Sequence, residues 1–464
     1  MKHSKLFIIV FVGLIFTACE DFLNPNPDFA VSQEEFFSSD AEIVAGIIGI
    51  YDSIQGISEE DEGNWTTENR GIQYEFLLTE HRSDNSRSLS NNERQEYHRY
   101  EVEVGDIYSE DYYASMYEVI YRANNILQFM EVADPGNIPA YTAEARFLRA
   151  YAYFNLVRLY GAVPLVTNTL NPGDEAAYVR ADVNAIYTQI TNDLMDAVAN
   201  LPDGTKGRAS KAAAEALLAK VYLSQPSPNY LGAQQLLESV MNPARGFMLM
   251  PDFSDVFYSE LNDEVIFAIE YENDVFGQCQ IYSAEFDHLA GREDGLNFLE
   301  QNLIDAFDAN GGDRTAVSYL SEDQGLFCAK FVPSSATTRC AGNDWIVLRY
   351  ADVLLMHAES ILAGAQSTTS INALNSVNEV RNRAGLADIT GTLTAEDLLL
   401  ERRVELAFEN QRFYDLQRFG VATTVLGDYS SNNGYSFNVN QMLLPIPPRE
   451  IQQSAGLMAQ NPGY

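Results

Sequence analysis

The chain has 464 residues, 66 of them Asp or Glu against 29 Lys or Arg, a formal net charge of −37. That excess repels nucleic acid and other polyanions at long range, which excludes nucleic-acid binding and favours neutral ligands or basic partners. Hydrophobic residues make up 46%, enough for a large core, so disorder over most of the length is excluded as well.

At the N-terminus Lys2 and Lys5 precede an uncharged apolar run over residues 6–16, followed by Thr17, Ala18 and Cys19. The run is shorter than the roughly twenty residues that span a bilayer, and its end resembles a bacterial lipobox, although Phe16 stands where Leu is commonest. Residues 1–18 therefore read as a lipoprotein signal peptide and Cys19 as the lipidated residue, the alternative being an ordinary signal with Cys19 incidental. Residues 19–40, acidic and rich in Pro and Asn, read as a tether. Export permits a disulfide among Cys279, Cys328 and Cys340. Cys328 with Cys340 is the expected pair because they enclose a short loop; two buried thiols are the alternative. No Cys pair is closely spaced and the histidines are scattered, so neither metal nor cofactor is expected, and Glu59 to Glu62 read as a solvated charge run.

Residues 41–53 have helical spacing, after which 55–109 lose periodicity. Long irregular stretches in compact proteins are functional or disordered, and Trp65, Tyr74, Phe76, Tyr97 and Tyr100 argue against disorder. Amphipathic helices follow over 112–132, 139–160, 182–200, 210–225 and 231–241, punctuated by Gly and Pro turns. Alanines at the contact positions (Ala145, Ala150, Ala152; Ala212, Ala216, Ala219) resemble tetratricopeptide-like stacking, although no 34-residue consensus repeats. Residues 246–347 break into turns and strand-like pieces such as EVIFAIEY. Helices resume over 348–363, 370–384 and 394–419, the last opening with the capping-box pattern of Thr394 and Asp397. The expected fold is mainly α: a tetratricopeptide-like helical array, an α-α superhelix with irregular loop-rich insertions and a few short strands. A single domain over 41–464 would have its scaffold at 111–242 and 348–420 and loop-rich ligand-binding regions at 55–110 and 246–347.

In ERRVELAFENQRFYDLQRFG (residues 401–420) Glu401, Glu405 and Glu409, and Arg412 with Asp415, recur at i,i+3 or i,i+4, which predicts a packed helix with a salt-bridged flank rather than an acid/base pair. Arg146, Arg149 and Arg158 are expected to pair with neighbouring acids. No Gly-rich phosphate cradle, Gly-x-Ser-x-Gly elbow or His-Glu-x-x-His motif is present, so no catalytic residue is assigned and the chain reads as a non-enzyme. A site for neutral sugars needs flat aromatic faces and planar polar side chains. The first irregular region offers Trp65, Tyr74, Tyr97 and Tyr100 with Arg82, Asp84, Asn85, Asn91 and Asn92. The second offers Tyr271, Tyr282 and Phe286 with Gln278, Gln280 and His288. Each loop aromatic serves equally well to pin its own loop. Trp345 reads as core.

Eight segments in order resemble the SusD/RagB family: ANNIL (123–127), EARFLRAYAYFNLVRLYGAVPLV (144–166), GRASKAAAEALLAKVYL (207–223), LRYADVLLMHAES (348–360), NEVRNRAGL (378–386), residues 401–420 quoted above, LLPIPPREI (443–451) and QNPGY (460–464). The resemblance implies a lipid-anchored protein on the outer surface of the outer membrane. It implies that the protein seats on a SusC-like TonB-dependent transporter and delivers captured oligomers to it. A glycan is the first ligand reading and an oligopeptide, as in the RagB branch, the second. A helical-repeat adaptor that binds only protein is a third reading, and a glycoside hydrolase, which needs two carboxylates about 5 to 10 Å apart across a cleft, a fourth.

Overall fold

The structure, a computed structural model, describes residues 36–57, 69–89, 92–170, 173–174, 178–204, 206–286, 297–322, 325–332 and 339–464. Cys19, Trp65, Asn91, His288, the run from Glu59 to Glu62 and the expected signal peptide lie outside the described residues.

Helix α1 (Asp40–Gln55) buries Ile43, Ile47, Ile50 and Ile54, one stripe of a helix surface, and packs on α2 (Ile107–Gln128). Gly46 sets the approach: a Cβ there would meet Ile126 Cδ1 at 2.1 Å. Helices α3 (Ile138–Tyr160), α4 (Val183–Asn200), α5 (Lys211–Ser224) and α6 (Tyr230–Val240) then stack, each on the one before. Ala145, Ala150 and Ala152 on α3, and Ala212, Ala216 and Ala219 on α5, are all buried, so small side chains sit where the helices meet. Asp106, Asp182, Ser210 and Asn229 each accept a hydrogen bond from a first-turn backbone N–H of the helix that follows.

Strand β1 (Val265–Ile269) is fully buried and pairs antiparallel with β2 (Trp345–Arg349), which confirms the strand read in EVIFAIEY and the core position of Trp345. β2 feeds directly into α7 (Tyr350–Leu362), which packs on α6 across the long insertion, and α8 (Ile371–Arg383) packs on α7. The helical array is thus continuous in space although the sequence interrupts it.

Helix α9 (Ala395–Glu405) opens on the predicted capping box: Thr394 Oγ1 accepts from the Asp397 N–H at 3.0 Å and Asp397 Oδ2 accepts from the Thr394 N–H at 3.0 Å. Thr394→Ala is expected to cost about 1 kcal/mol in urea unfolding. The single helix predicted over 394–419 does not form. α9 stops at Glu405, α10 (Arg412–Arg418) starts afresh, and Phe408 and Asn410 between them take left-handed φ values of 67° and 58°. The reason is charge at the helix end. Lys330 Nζ and Arg349 Nη2 each donate to the Glu405 carbonyl at 2.8 Å, satisfying a C-terminal group that further helix would have used. After α10, helix α11 (Ala422–Asn433) leads to the C-terminal segment.

The flank is salt-bridged as expected, but it is buried and its partners come from other elements rather than from the same helix: Glu401 and Glu405 are fully buried, and Glu409 nearly so. Arg314 bonds Glu401 at 2.6 Å and Glu405 at 2.8 Å, and Arg349 bonds Glu264 at 2.7 Å, Glu405 at 2.6 Å and Glu409 at 2.7 Å. Lys330, Arg381 and Arg383 complete the network. Burial alone would raise the Glu405 carboxyl, but Arg383, Arg349 and Arg314 hold it well below the usual range. Arg412 pairs with Asp84 at 2.8 Å instead of Asp415, which binds Arg402 at 2.9 Å. Arg146 and Arg149 pair with Asp196 and Asp193 as expected, whereas Arg158 lies over the Phe154 and Tyr414 rings at 3.9 and 3.8 Å.

Candidate functional site

The two irregular regions fold against each other into one lobe. A small sheet in the order 86–87, 298–299, 325–328, 319–322 joins them, Phe76 meets Phe286 edge-on at 4.7 Å, and Arg94 bonds Glu285 at 2.5 Å. Ile57 and Asn69, Phe286 and Asn297, and Val332 and Arg339, which flank the undescribed stretches, belong to this lobe or border it.

Within the lobe the predicted ligand contacts are structural. Tyr74, Arg82, Asp84, Asn85, Tyr97, Tyr100, Tyr271, Tyr282 and Phe286 are all buried, with exposures between 0% and 6%, so none offers a face to a ligand. Tyr74 packs on Tyr108, Arg82 lies 4.4 Å over the Phe413 ring, and Asn85 binds Glu80 and Arg403. Burial would push the Asp84 carboxyl up, but Arg403 and Arg412 hold it far below the ordinary carboxylate range. The Tyr97 hydroxyl donates to Asp106, Tyr100 donates to the Arg82 carbonyl, Tyr271 to the Gln55 carbonyl at 2.9 Å, and Tyr282 to the Asn343 carbonyl. Each hydroxyl finds a partner inside, which lets a tyrosine-rich sequence bury the rings instead of displaying them. Gln280 is buried too, while Gln278 is exposed.

What the lobe does expose is the turn over residues 270–278 that leaves β1. Asp274 and Gly277 take positive φ, 59° and 76°, and the turn between them carries Val275 and Phe276, the latter 67% exposed. Four ties hold the turn to residues 339–344: Asp274 N–H to the Cys340 carbonyl at 3.0 Å, Gly342 N–H to Asn273 Oδ1 at 2.7 Å, Tyr271 N–H to Asp344 Oδ1 at 3.0 Å, and a Cys279–Cys340 disulfide. Gly342 is required by the close approach, since a Cβ there would lie 2.4 Å from the Asn273 nitrogen. The disulfide corrects the expected Cys328–Cys340 pairing. β1 pairs with β2, and the Gln280–Ala341 bridge extends that alignment, which brings the Cys279 and Cys340 Cα atoms within 4.8 Å, while Cys328 is a buried thiol in the strand facing Tyr319.

Beside this turn a shallow cleft of about 90 Å³ is lined by Tyr258, Glu260, Asn273, Asn343 and Asp344, among others. Tyr258 is 46% exposed. An exposed ring beside amides and a carboxylate can stack on the apolar face of a neutral ring and bond its hydroxyls. Phe276 is absent from the site read in the sequence. An aromatic residue between Asn273-Asp274 and Gly277, inside turn chemistry, was the signal for it.

Burial, with repulsion from Glu270 and Glu260, pushes the Asp344 carboxyl up to about 7 although the Tyr271 N–H draws it down. Burial also lifts Glu75 and Glu80 to about 7. The unfolded carboxyls titrate near 3.8 and 4.5, so these three stabilise the fold while protonated; that contribution is complete below the unfolded values and is lost as pH rises through about 7. The triple variant Glu75→Gln, Glu80→Gln, Asp344→Asn should therefore gain stability relative to the native chain as pH rises from about 4 to 8, read as the difference in thermal midpoints. Parallel pH profiles would contradict it.

Among the described residues no group of three or more His, Cys, Asp and Glu is arranged to hold a metal, and no helix is long and apolar enough to cross a membrane.

The helical array with its loop-built lobe defines a scaffolded binding protein. The profile described as starch-binding and associating with the outer membrane matches residues 21–223, and that of the SusD family matches residues 301–464. The chain belongs to the SusD/RagB family. A SusD-like protein of Formosa agariphila is 28% identical over all of both chains. The starch-binding protein SusD of Bacteroides thetaiotaomicron is 25% identical over 69% of this chain and 72% of its own. A solved laminarin-binding SusD-like protein superposes with a TM-score of 0.77 at 27% identity, covering 92% of this chain and all of that one. A SusD homolog from Bacteroides thetaiotaomicron reaches 0.80 at 19% identity over 96% of this chain, which shows the fold alone. Two of these relatives are named for the glycan they bind, and the chain is a binding protein, not an enzyme.

Proposed function

We propose that this protein captures a neutral oligosaccharide on the face formed by residues 270–278 and the neighbouring cleft. The observation that carries the reading is the end-to-end likeness to a laminarin-binding protein, joined to an exposed aromatic turn that is stapled in place. Trp65, on the undescribed stretch between Ile57 and Asn69, is a second stacking residue in this proposal. Lipidation at Cys19 anchors the protein to the outer surface of the outer membrane, and a SusC-like TonB-dependent transporter receives the captured oligomer. The net charge of −37 suits a neutral ligand.

Calorimetric titration of the mature protein with laminarin- and starch-derived oligosaccharides is expected to give saturable binding. Silence with every neutral glycan, together with binding to an oligopeptide pool, would replace this reading with the RagB-like one. Cys19→Ala is expected to move the protein from the outer-membrane fraction to the soluble one.

A further inference from the structure

On the helical scaffold, α2 and the segment after α3 enclose a second cleft of about 290 Å³. Tyr113, Tyr117 and Tyr121 follow one another at i,i+4 along α2 and line it, with Ile120, Pro164, Val166 and Leu170 opposite or between them. Tyr113 is buried at the floor and packs 4.9 Å from Tyr117, while Tyr121 is 51% exposed at the mouth. From Tyr113 to Tyr121 the helix rises about 12 Å, the length of roughly four extended residues.

One end of the cleft is acidic. Glu450 lines it, and Glu110, on the first turn of α2, is close enough to Glu450 that the two carboxylates repel. Burial raises both above the ordinary carboxylate range, Glu450 adds to the rise at Glu110, and Arg449 draws each down. No hydrogen bond from a described residue reaches either carboxylate, whereas Tyr117 and Asn124 are spent on the cleft's own wall. The Tyr117 hydroxyl donates to the Pro164 carbonyl at 2.7 Å, and Asn124 donates to the Val166 carbonyl at 3.1 Å while accepting from Arg149 at 2.7 Å.

This arrangement separates two ligand chemistries. A sugar brings hydroxyls on every side and would leave many of them unmet among committed groups, which is costly. A peptide side chain that is long, apolar along its stem and cationic at its tip would lie along the tyrosine rings and end on the carboxylates, gaining cation–π attraction and an ion pair together. We infer that this cleft is the docking site for an extended, Lys- or Arg-bearing segment of a partner protein, whose cation is received by Glu450 and Glu110. The strongly negative chain steers such a segment inward. The site is distinct from the sugar-binding face, since every residue that lines the cleft lies outside the lobe that carries Phe276.

The test is selection of a phage-displayed random heptapeptide library on the immobilised mature protein, with the double variant Tyr121→Ala, Glu450→Gln as counter-target after its unchanged thermal midpoint shows that it folds. Sequences with Lys or Arg are expected to be enriched at least tenfold on the native protein over the variant. A synthetic peptide from that set should lose at least tenfold in affinity when Glu450→Gln alone is made, and again when its base is replaced by citrulline or norleucine. Equal enrichment on both proteins, no enrichment, or enrichment of sequences lacking a base overturns the inference. So does a neutral oligosaccharide whose binding falls tenfold in Tyr121→Ala but not in Phe276→Ala, which would make the cleft a sugar site.

Discussion

Replacing Arg349 by methionine is expected to destabilise the protein by about 3–5 kcal/mol, read as a fall in the urea midpoint at unchanged slope. Arg349 is 1% exposed and faces three buried carboxylates, Glu264, Glu405 and Glu409, each within 2.7 Å. Removing the cation leaves those charges with less compensation in a low-dielectric interior, and the Glu405 carbonyl loses a donor that helps end α9. Methionine keeps most of the stem's volume, so the loss reports charge rather than a cavity. Glu118→Gln, which opens the exposed Arg122–Glu118 pair at 2.7 Å, should change stability by less than about 1 kcal/mol. Equal effects of the two substitutions would mean that burial does not set the strength of these pairs.

Removing the Cys279–Cys340 disulfide, by Cys279→Ser with Cys340→Ser, should cost about 4 kcal/mol, the chain-entropy expectation for a bridge across 61 residues. Its local effect matters more for function. The turn over residues 270–278 would keep only its three hydrogen bonds to residues 339–344, so Phe276 would be held less firmly and any ligand would bear the cost of ordering it. Urea unfolding of the native chain with and without reductant gives the same comparison, while Cys328→Ser should leave the reductant effect intact. A reductant effect that disappears with Cys328→Ser would restore the pairing expected from the sequence.

The scaffold was legible because its signals are local: apolar stripes, Gly and Pro turns, capping residues and alanine contacts all pointed to stacked helices. Two readings missed because a residue's type does not state its burial, and a third because distance along the chain does not state which strands pair. Glu401, Glu405 and Glu409 have the spacing of ion pairs along one helix flank, yet they are buried and their partners Arg314, Lys330 and Arg349 come from earlier segments of the chain. The tyrosines offered as sugar platforms have hydroxyls that bond inside the lobe, so polarity at one end did not mean exposure. Cys328 is nearer to Cys340 in sequence, but strand pairing places Cys279 there. Phe276 stood in turn chemistry and was readable on that ground. No helical or strand pattern announced the cleft of Tyr113, Tyr117 and Tyr121, because its other wall, residues 164–170, comes from the segment that follows the next helix.

The most direct test of the central claim is native gel electrophoresis in gels cast with laminarin, with soluble starch or without polysaccharide, comparing the mature protein with Phe276→Ala. The account predicts that one neutral polysaccharide retards the native protein and that Phe276→Ala weakens this about tenfold, the loss of one stacking platform, while leaving the thermal midpoint unchanged. Retardation that is equal for the two proteins would place the ligand elsewhere, and migration unaffected by any neutral polysaccharide would contradict the glycan reading itself.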